Sequence, residues 1–211
     1  MRLGILGGTF DPPHLGHLII AEAAAGGLAL DRVLWVPSGI QPLKRDQRIT
    51  PAEARVAMVA RAIADNPLFA LSRADVDHSG LSYTVDTLAR LRAAWGPEAA
   101  FWFIIGADSL ATLLSWRDPA GILAQTRLAV APRPDIAVPW PALDAALPAL
   151  RGCLDPIASP LIGIRARDLR VAVAAGRSIR YQVPPAVEAY IAEQGLYREA
   201  ADADEPVRPP A

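Results

Sequence analysis

The chain has 211 residues, 52% hydrophobic and 20% charged, enough apolar material for one or two globular domains and too much for wholesale disorder. Lysine and arginine number 21 against 22 acids, a formal net charge of -1, so no global basic field exists to gather nucleic acid or an anionic membrane. A single cysteine, Cys153, excludes an intramolecular disulfide, and three histidines leave little material for an all-protein zinc cage; a reducing cytoplasm fits best.

Met1 to Leu6 runs straight into a glycine pair, without the apolar region and cleavage site of a signal peptide. The apolar stretch from Leu18 to Leu30 is broken by Glu22, Gly26 and Gly27, short of the roughly 20 residues a membrane span needs. Arg2 to Leu6 reads as a strand, and Gly16 to Ala25 as a helix after a polar loop. Arg32 to Val36 is a second strand closed by Pro37. Thr50, Pro51 and Glu53 then announce a helix through about Asp65, with Thr50 and Glu53 as a capping box. Leu68 to Ser72 is a third strand, and Tyr83 to Ala94 spaces Val85, Leu88 and Leu91 as a helix face does. Phe101 to Ile105, apolar throughout and bounded by Gly106, reads as a strand buried on both faces, and Arg127 to Ala131 as a fifth.

Prolines interrupt residues 132–160, which read as a variable surface excursion. Arg167 to Ala175 and Pro185 to Gln194 close the chain as two helices, the second stopped at Gly195. Strands alternating with helices predict an α/β fold, a doubly wound Rossmann-like parallel sheet with right-handed crossovers and C-terminal helices. One domain over residues 1–198 is expected, followed by a disordered acidic and proline-rich tail, 199–211.

The segment Gly7, Gly8, Thr9, Phe10, Asp11, Pro12, Pro13, His14, Leu15, Gly16, His17 lies between the first strand and the first helix. Glycines there let backbone amides approach an anion, and a helix N-terminus adds partial positive charge, so phosphate is the natural guest. His14 and His17, three apart, face one side of the incoming turn, and Gly16 removes a side chain that would crowd them. Two histidines without nearby cysteine make zinc the weaker account, so no metal ligand is assigned.

This segment resembles the phosphate-binding motif of nucleotidyltransferases that transfer adenylyl or cytidylyl groups. Ser82 to Leu88, then Phe103 to Leu110, Trp116, and Gly176 to Tyr181 with Val183 and Pro184 narrow the resemblance to bacterial nicotinate mononucleotide adenylyltransferase. It implies transfer of the adenylyl group of ATP to nicotinate mononucleotide, by in-line attack without a covalent intermediate, with Mg²⁺ carried on the ATP phosphates. It also implies His17 as stabiliser of the transition state, with His14 beside it, and Lys44 as a phosphate lysine; on the residues alone Lys44 is equally a solvated loop charge. For ATP the resemblance implies Gly7, Gly8, Thr9, Phe10, Gly106, Asp108, Arg133 and Arg170. Asp108 either holds a ribose hydroxyl or caps the next helix, and Arg133 is either an adenosine contact or a turn charge. Trp116 matches the pyridine-stacking residue, with Tyr83, Thr84 and Arg117 beside the nicotinate carboxylate; packing is the alternative for Trp116.

One segment departs from the family. Where small hydroxyl residues usually precede the penultimate helix, Arg165, Ala166 and Arg167 stand here. Either Arg165 and Arg167 take over contacts to the triphosphate, or it is held differently. Another acceptor, nicotinamide mononucleotide or phosphopantetheine, and a non-catalytic nucleotide-binding regulator remain as alternatives. ATP and nicotinate mononucleotide are the expected partners, with no nucleic acid and no membrane; a homodimer is left open.

Overall fold

The computed structural model describes residues 1–40, 49–133 and 136–198. Strand β1 (Arg2–Gly8) lies at the centre of a six-stranded sheet with β2 (Arg32–Pro37), β3 (Phe69–Leu71), β4 (Ala100–Gly106), β5 (Arg127–Ala131) and β6 (Leu154–Pro156). The order is β3-β2-β1-β4-β5-β6 and every pairing is parallel. The expected doubly wound α/β sheet is therefore what forms.

Period-two alternation divides the core between the two faces of the sheet. Leu3, Ile5, Leu34, Phe101 and Phe103 pack one way, under α3 (Thr84–Trp95) and α5 (Pro119–Gln125). Leu6, Val33, Trp35, Trp102 and Ile104 pack the other way, under α1 (Leu15–Gly27), α2 (Ala52–Ala62), α7 (Ala166–Ala174) and α8 (Pro185–Glu193). Burial on both sides explains why β4 reads as an unbroken apolar run. The chain leaves β1 toward β2 on one side, and β4 opens the other half of the sheet. The carboxyl ends of these two neighbouring strands therefore part around a crevice, where open α/β sheets bind ligands.

Several expectations are corrected. Thr50 and Glu53 form no capping box: Pro51 takes the N-cap position without a side-chain cap, and the Glu53 carboxylate accepts from Arg73 at 2.7 and 3.0 Å. The Thr50 backbone N–H donates instead to Asp11 Oδ2 at 3.1 Å. Asp108 does not cap the next helix either, because α4 (Ala107–Ala111) has Gly106 at its N-cap. Residues 132–160 are more than a surface excursion. They carry α6 (Trp140–Ala146) and edge strand β6, and bury Leu143, Leu147 and Leu150. Pro139 and Pro141 stand at the N-cap and in the first turn of α6, and Pro156 ends an edge strand, where a missing N–H costs little. Among the described residues, no helix is long and apolar enough to cross a membrane.

Candidate active site

His14 is the N-cap of α1, with an extended backbone, and is 3% exposed. Its backbone N–H donates to His17 Nδ1 at 3.2 Å, and the His17 N–H donates back to the His14 carbonyl at 2.9 Å. A neutral imidazole that accepts at Nδ1 carries its proton on Nε2, so His17 presents an Nε2–H donor. The two rings stack, centroids 3.7 Å apart, and Phe10 meets His17 edge-on at 5.1 Å. A Cβ on Gly16 would lie 3.0 Å from His14 Nδ1 and 3.1 Å from Ile162 Cγ2, so glycine leaves the room that the His14 ring occupies. Burial lowers the His14 pKa to about 4, with the Arg133 charge adding to it. Burial, then His14, then Arg133 hold His17 well below the ordinary range as well. Both imidazoles are neutral at pH 7, and a polyanion beside them favours their protonation.

A cleft of about 620 Å³ opens at this point. One end is polar, formed by Gly7, Gly8, Thr9 and Phe10, the two histidines, and the guanidinium groups of Arg133, Arg165 and Arg170. Arg133 Nε lies 3.5 Å from Asp108 Oδ1, and its Nη1 donates to the Ile162 carbonyl at 3.4 Å. Arg165, the N-cap of α7, donates from Nε to Asp168 at 2.8 Å. Arg170 Nη1 donates to the Asp11 carbonyl at 2.9 Å. Gly106, the α4 N-cap, lies against the Asp108 and Arg133 side chains, and Arg167 stands in the first turn of α7. Lys44 lies outside the described residues.

Phe103, Tyr83 and Trp116 also line the cleft, beside Ser82, Thr84, Thr112 and Ser115. Trp116 packs edge-on against Phe103 at 6.1 Å and lines the cleft together with the start of α3, where Tyr83 is the N-cap and Thr84 the first helical residue. Arg117 lies 4.6 Å above the Tyr83 ring and 3.3 Å from Asp86 Oδ2. The sequence reading missed what holds this corner. Buried Asp75 accepts at Oδ1 from Thr87 Oγ1 at 2.5 Å and from Arg90 at 2.7 Å, and the Tyr83 carbonyl lies 3.0 Å from the same hydroxyl, within reach of its one proton. The first turn of α3 is thereby anchored. An acid in a loop gives no periodic signal, so only the paired Thr87 and Arg90, three apart on one helix face, pointed to it.

The pattern of the cytidylyltransferase-like family matches residues 5–174. A protein of Roseiflexus sp. described as a probable nicotinate-nucleotide adenylyltransferase is 50% identical over 196 residues, covering 93% of this chain and 98% of the relative. The chain belongs to the nicotinate-nucleotide adenylyltransferase family. A Thermomicrobium roseum relative with the same description is 48% identical over 197 residues, 93% of this chain and 92% of its own. Among solved structures, that of Plasmodium falciparum nicotinic acid mononucleotide adenylyltransferase complexed with NaAD aligns with a TM-score of 0.77 at 18% identity, over 94% of this chain and 98% of that one, a likeness of fold. Membership of the nicotinate-nucleotide adenylyltransferase family and the two-ended cleft agree in kind, since such a transfer needs a phosphate grip beside a ring site.

Proposed function

We propose that the chain transfers the adenylyl group of ATP to nicotinate mononucleotide, releasing pyrophosphate and deamido-NAD. The observation that carries this reading is the stacked His14 and His17 pair, its Nε2–H donor held at the polar end of a cleft whose other end is Trp116. A phosphate oxygen of the mononucleotide attacks the α-phosphorus of ATP; a new P–O bond forms as the bond to the β-phosphate oxygen breaks and the electron pair leaves with pyrophosphate. No group on the protein needs to accept a proton from an ionised phosphate. The work is positioning and charge stabilisation, which backbone amides, imidazoles and guanidinium groups supply.

His17 and His14 act on the phosphates, Arg133 and Arg170 flank them, and Asp108 beside Arg133 faces the ATP ribose. Among the described residues, no three His, Cys, Asp or Glu side chains converge on one point, and Asp108 is engaged by Arg133. Magnesium carried on the ATP phosphates would neutralise charge on the leaving pyrophosphate. The reading includes a single catalytic domain over 1–198 and a cytoplasmic setting, which the free thiol of Cys153 suits.

The assay that tests it is pyrophosphate release with ATP and a panel of acceptors. Stacking on Trp116 is indifferent to acid or amide, whereas the α3 N-terminus at Tyr83 and Thr84 and the Arg117 cation favour a carboxylate. Nicotinate mononucleotide is expected to exceed nicotinamide mononucleotide by at least about tenfold in kcat/KM, roughly 1.4 kcal/mol. Equal use of both acceptors sinks the assignment of this end of the cleft, and phosphopantetheine as the preferred acceptor sinks the function.

At the start of α7, where the sequence departs from the family, Arg165 lines the cleft and pairs with Asp168. A cation at a helix N-terminus opposes the dipole, and Asp168 offsets it until a triphosphate competes for the guanidinium. Arg165→Ala is expected to raise the KM for ATP about threefold to tenfold at low ionic strength and less at high, because the side chain is exposed and screened. A KM unchanged at low salt leaves Arg165 as a solvated partner of Asp168.

A further inference from the structure

The apolar stripe of α2 runs through Met58, Val59 and Ala62 with helical spacing, and the position that begins it is occupied by Arg55, only 3% exposed. A guanidinium in such a place needs acceptors, and each of its three nitrogens has one. Nε donates to the Thr50 carbonyl at 2.9 Å, Nη1 to the Thr9 carbonyl at 2.8 Å and Nη2 to the Ser38 carbonyl at 2.8 Å. All three acceptors are main chain, and they come from the loop after β1, the end of β2 and the approach to α2. Thr9 and Ser38 are walls of the cleft. The same loop is tied from its other side, where Asp11 Oδ1 accepts from the Tyr197 hydroxyl at 2.6 Å and Oδ2 from the Thr50 N–H.

We propose that Arg55 is a positioning residue for the triphosphate: its buried fork fixes the Thr9–Phe10 peptide so that the loop amides converge on the phosphates. The proposal rests on the adenylyl-transfer reading. A carbonyl that accepts from a cation polarises its own peptide, so the bond to the Thr9 oxygen strengthens the Phe10 N–H as a donor into the cleft. The guanidinium is buried, so its hydrogen bonds to these carbonyls are little screened by salt. Arg55 therefore differs from Arg165: its contribution resists salt. Lysine is no substitute, because a point charge cannot span three carbonyls set in a fork.

The test uses the full chain and inorganic tripolyphosphate, titrated by calorimetry at two ionic strengths, with far-UV circular dichroism and thermal melting to establish that each variant is folded. Arg55→Lys and Arg55→Met are both expected to weaken tripolyphosphate binding about tenfold or more, by a factor that changes little with salt, and to raise the KM for ATP in parallel. Folded variants that bind within twofold of the parent overturn the proposal and leave Arg55 as an anchor of the fold alone. Should neither variant fold, Tyr197→Phe loosens the opposite tie: binding weakened about threefold supports the clamp, and unchanged binding overturns it. A parent that neither binds tripolyphosphate nor releases pyrophosphate overturns the functional reading itself, a result distinct from a parent that binds beside variants that bind equally well.

Discussion

Replacing His17 by alanine is expected to lower kcat by roughly 10² to 10³, with smaller changes in the KM for either substrate, the usual loss when one preorganised donor to a developing charge is removed. Because the His14 N–H occupies His17 Nδ1, the imidazole is held in the tautomer that presents Nε2–H, and no reorientation is needed as charge builds on the departing pyrophosphate. Phe10 and the stacked His14 ring restrict the remaining motion. The loss stays within three decades because the loop amides and Arg133 remain in place. The fold should survive, since the side chain forfeits one main-chain hydrogen bond, worth about 1 kcal/mol. Steady-state kinetics on a variant with a native circular dichroism spectrum decides the matter. Near-normal kcat would reduce His17 to a cap that satisfies the His14 amide at the start of α1.

Much of this site was legible before any coordinates. Gly7 to His17 lies between a strand and a helix, and that order alone puts two imidazoles beside the loop amides at the carboxyl edge of a parallel sheet. Trp116, Tyr83 and Thr84 were legible through a resemblance rather than a period, since an isolated aromatic is ambiguous on composition. Where the structure departs from expectation, main-chain groups are claimed by partners the local pattern does not show, or prolines mask an edge. Thr50 looked like a cap, but its N–H is taken by Asp11 and its carbonyl by Arg55, so the helix starts on Pro51. Edge strand β6 was hidden by prolines, which an edge tolerates and a centre does not. Arg55 left a trace, a charge where the stripe of α2 calls for an apolar side chain, but its three carbonyl partners come from elements that only the fold brings together.

The second large effect is on stability and appears with falling pH in the absence of nucleotide. His14 has its pKa lowered to about 4 by burial and by Arg133, below the 6.5 of an unperturbed imidazole. Between those values the unfolded chain takes up a proton that the folded chain refuses, so acidification favours unfolding; at and above pH 7 both states are neutral and the term vanishes. From pH 7 to pH 5 this single group withdraws about 2 kcal/mol, and His17, shifted the same way for the same first cause, adds to it. Glu53, Asp144 and Asp155 act elsewhere: arginine partners lower their pKa values from already low starting points, so the stability they contribute is lost only below about pH 4.5. The window from 7 to 5 therefore reports the histidines. Urea unfolding at the two pH values should show the loss in the parent and a smaller one in His14→Asn, whose amide cannot titrate. Tripolyphosphate should reverse the linkage, since an anion against the rings favours the imidazolium, and its binding near pH 6 should take up protons, measurable by calorimetry in buffers of different ionisation enthalpy. Equal loss of stability in the parent and in His14→Asn would move the acid sensitivity away from His14, and binding without proton uptake would show that the rings meet the anion as neutral donors.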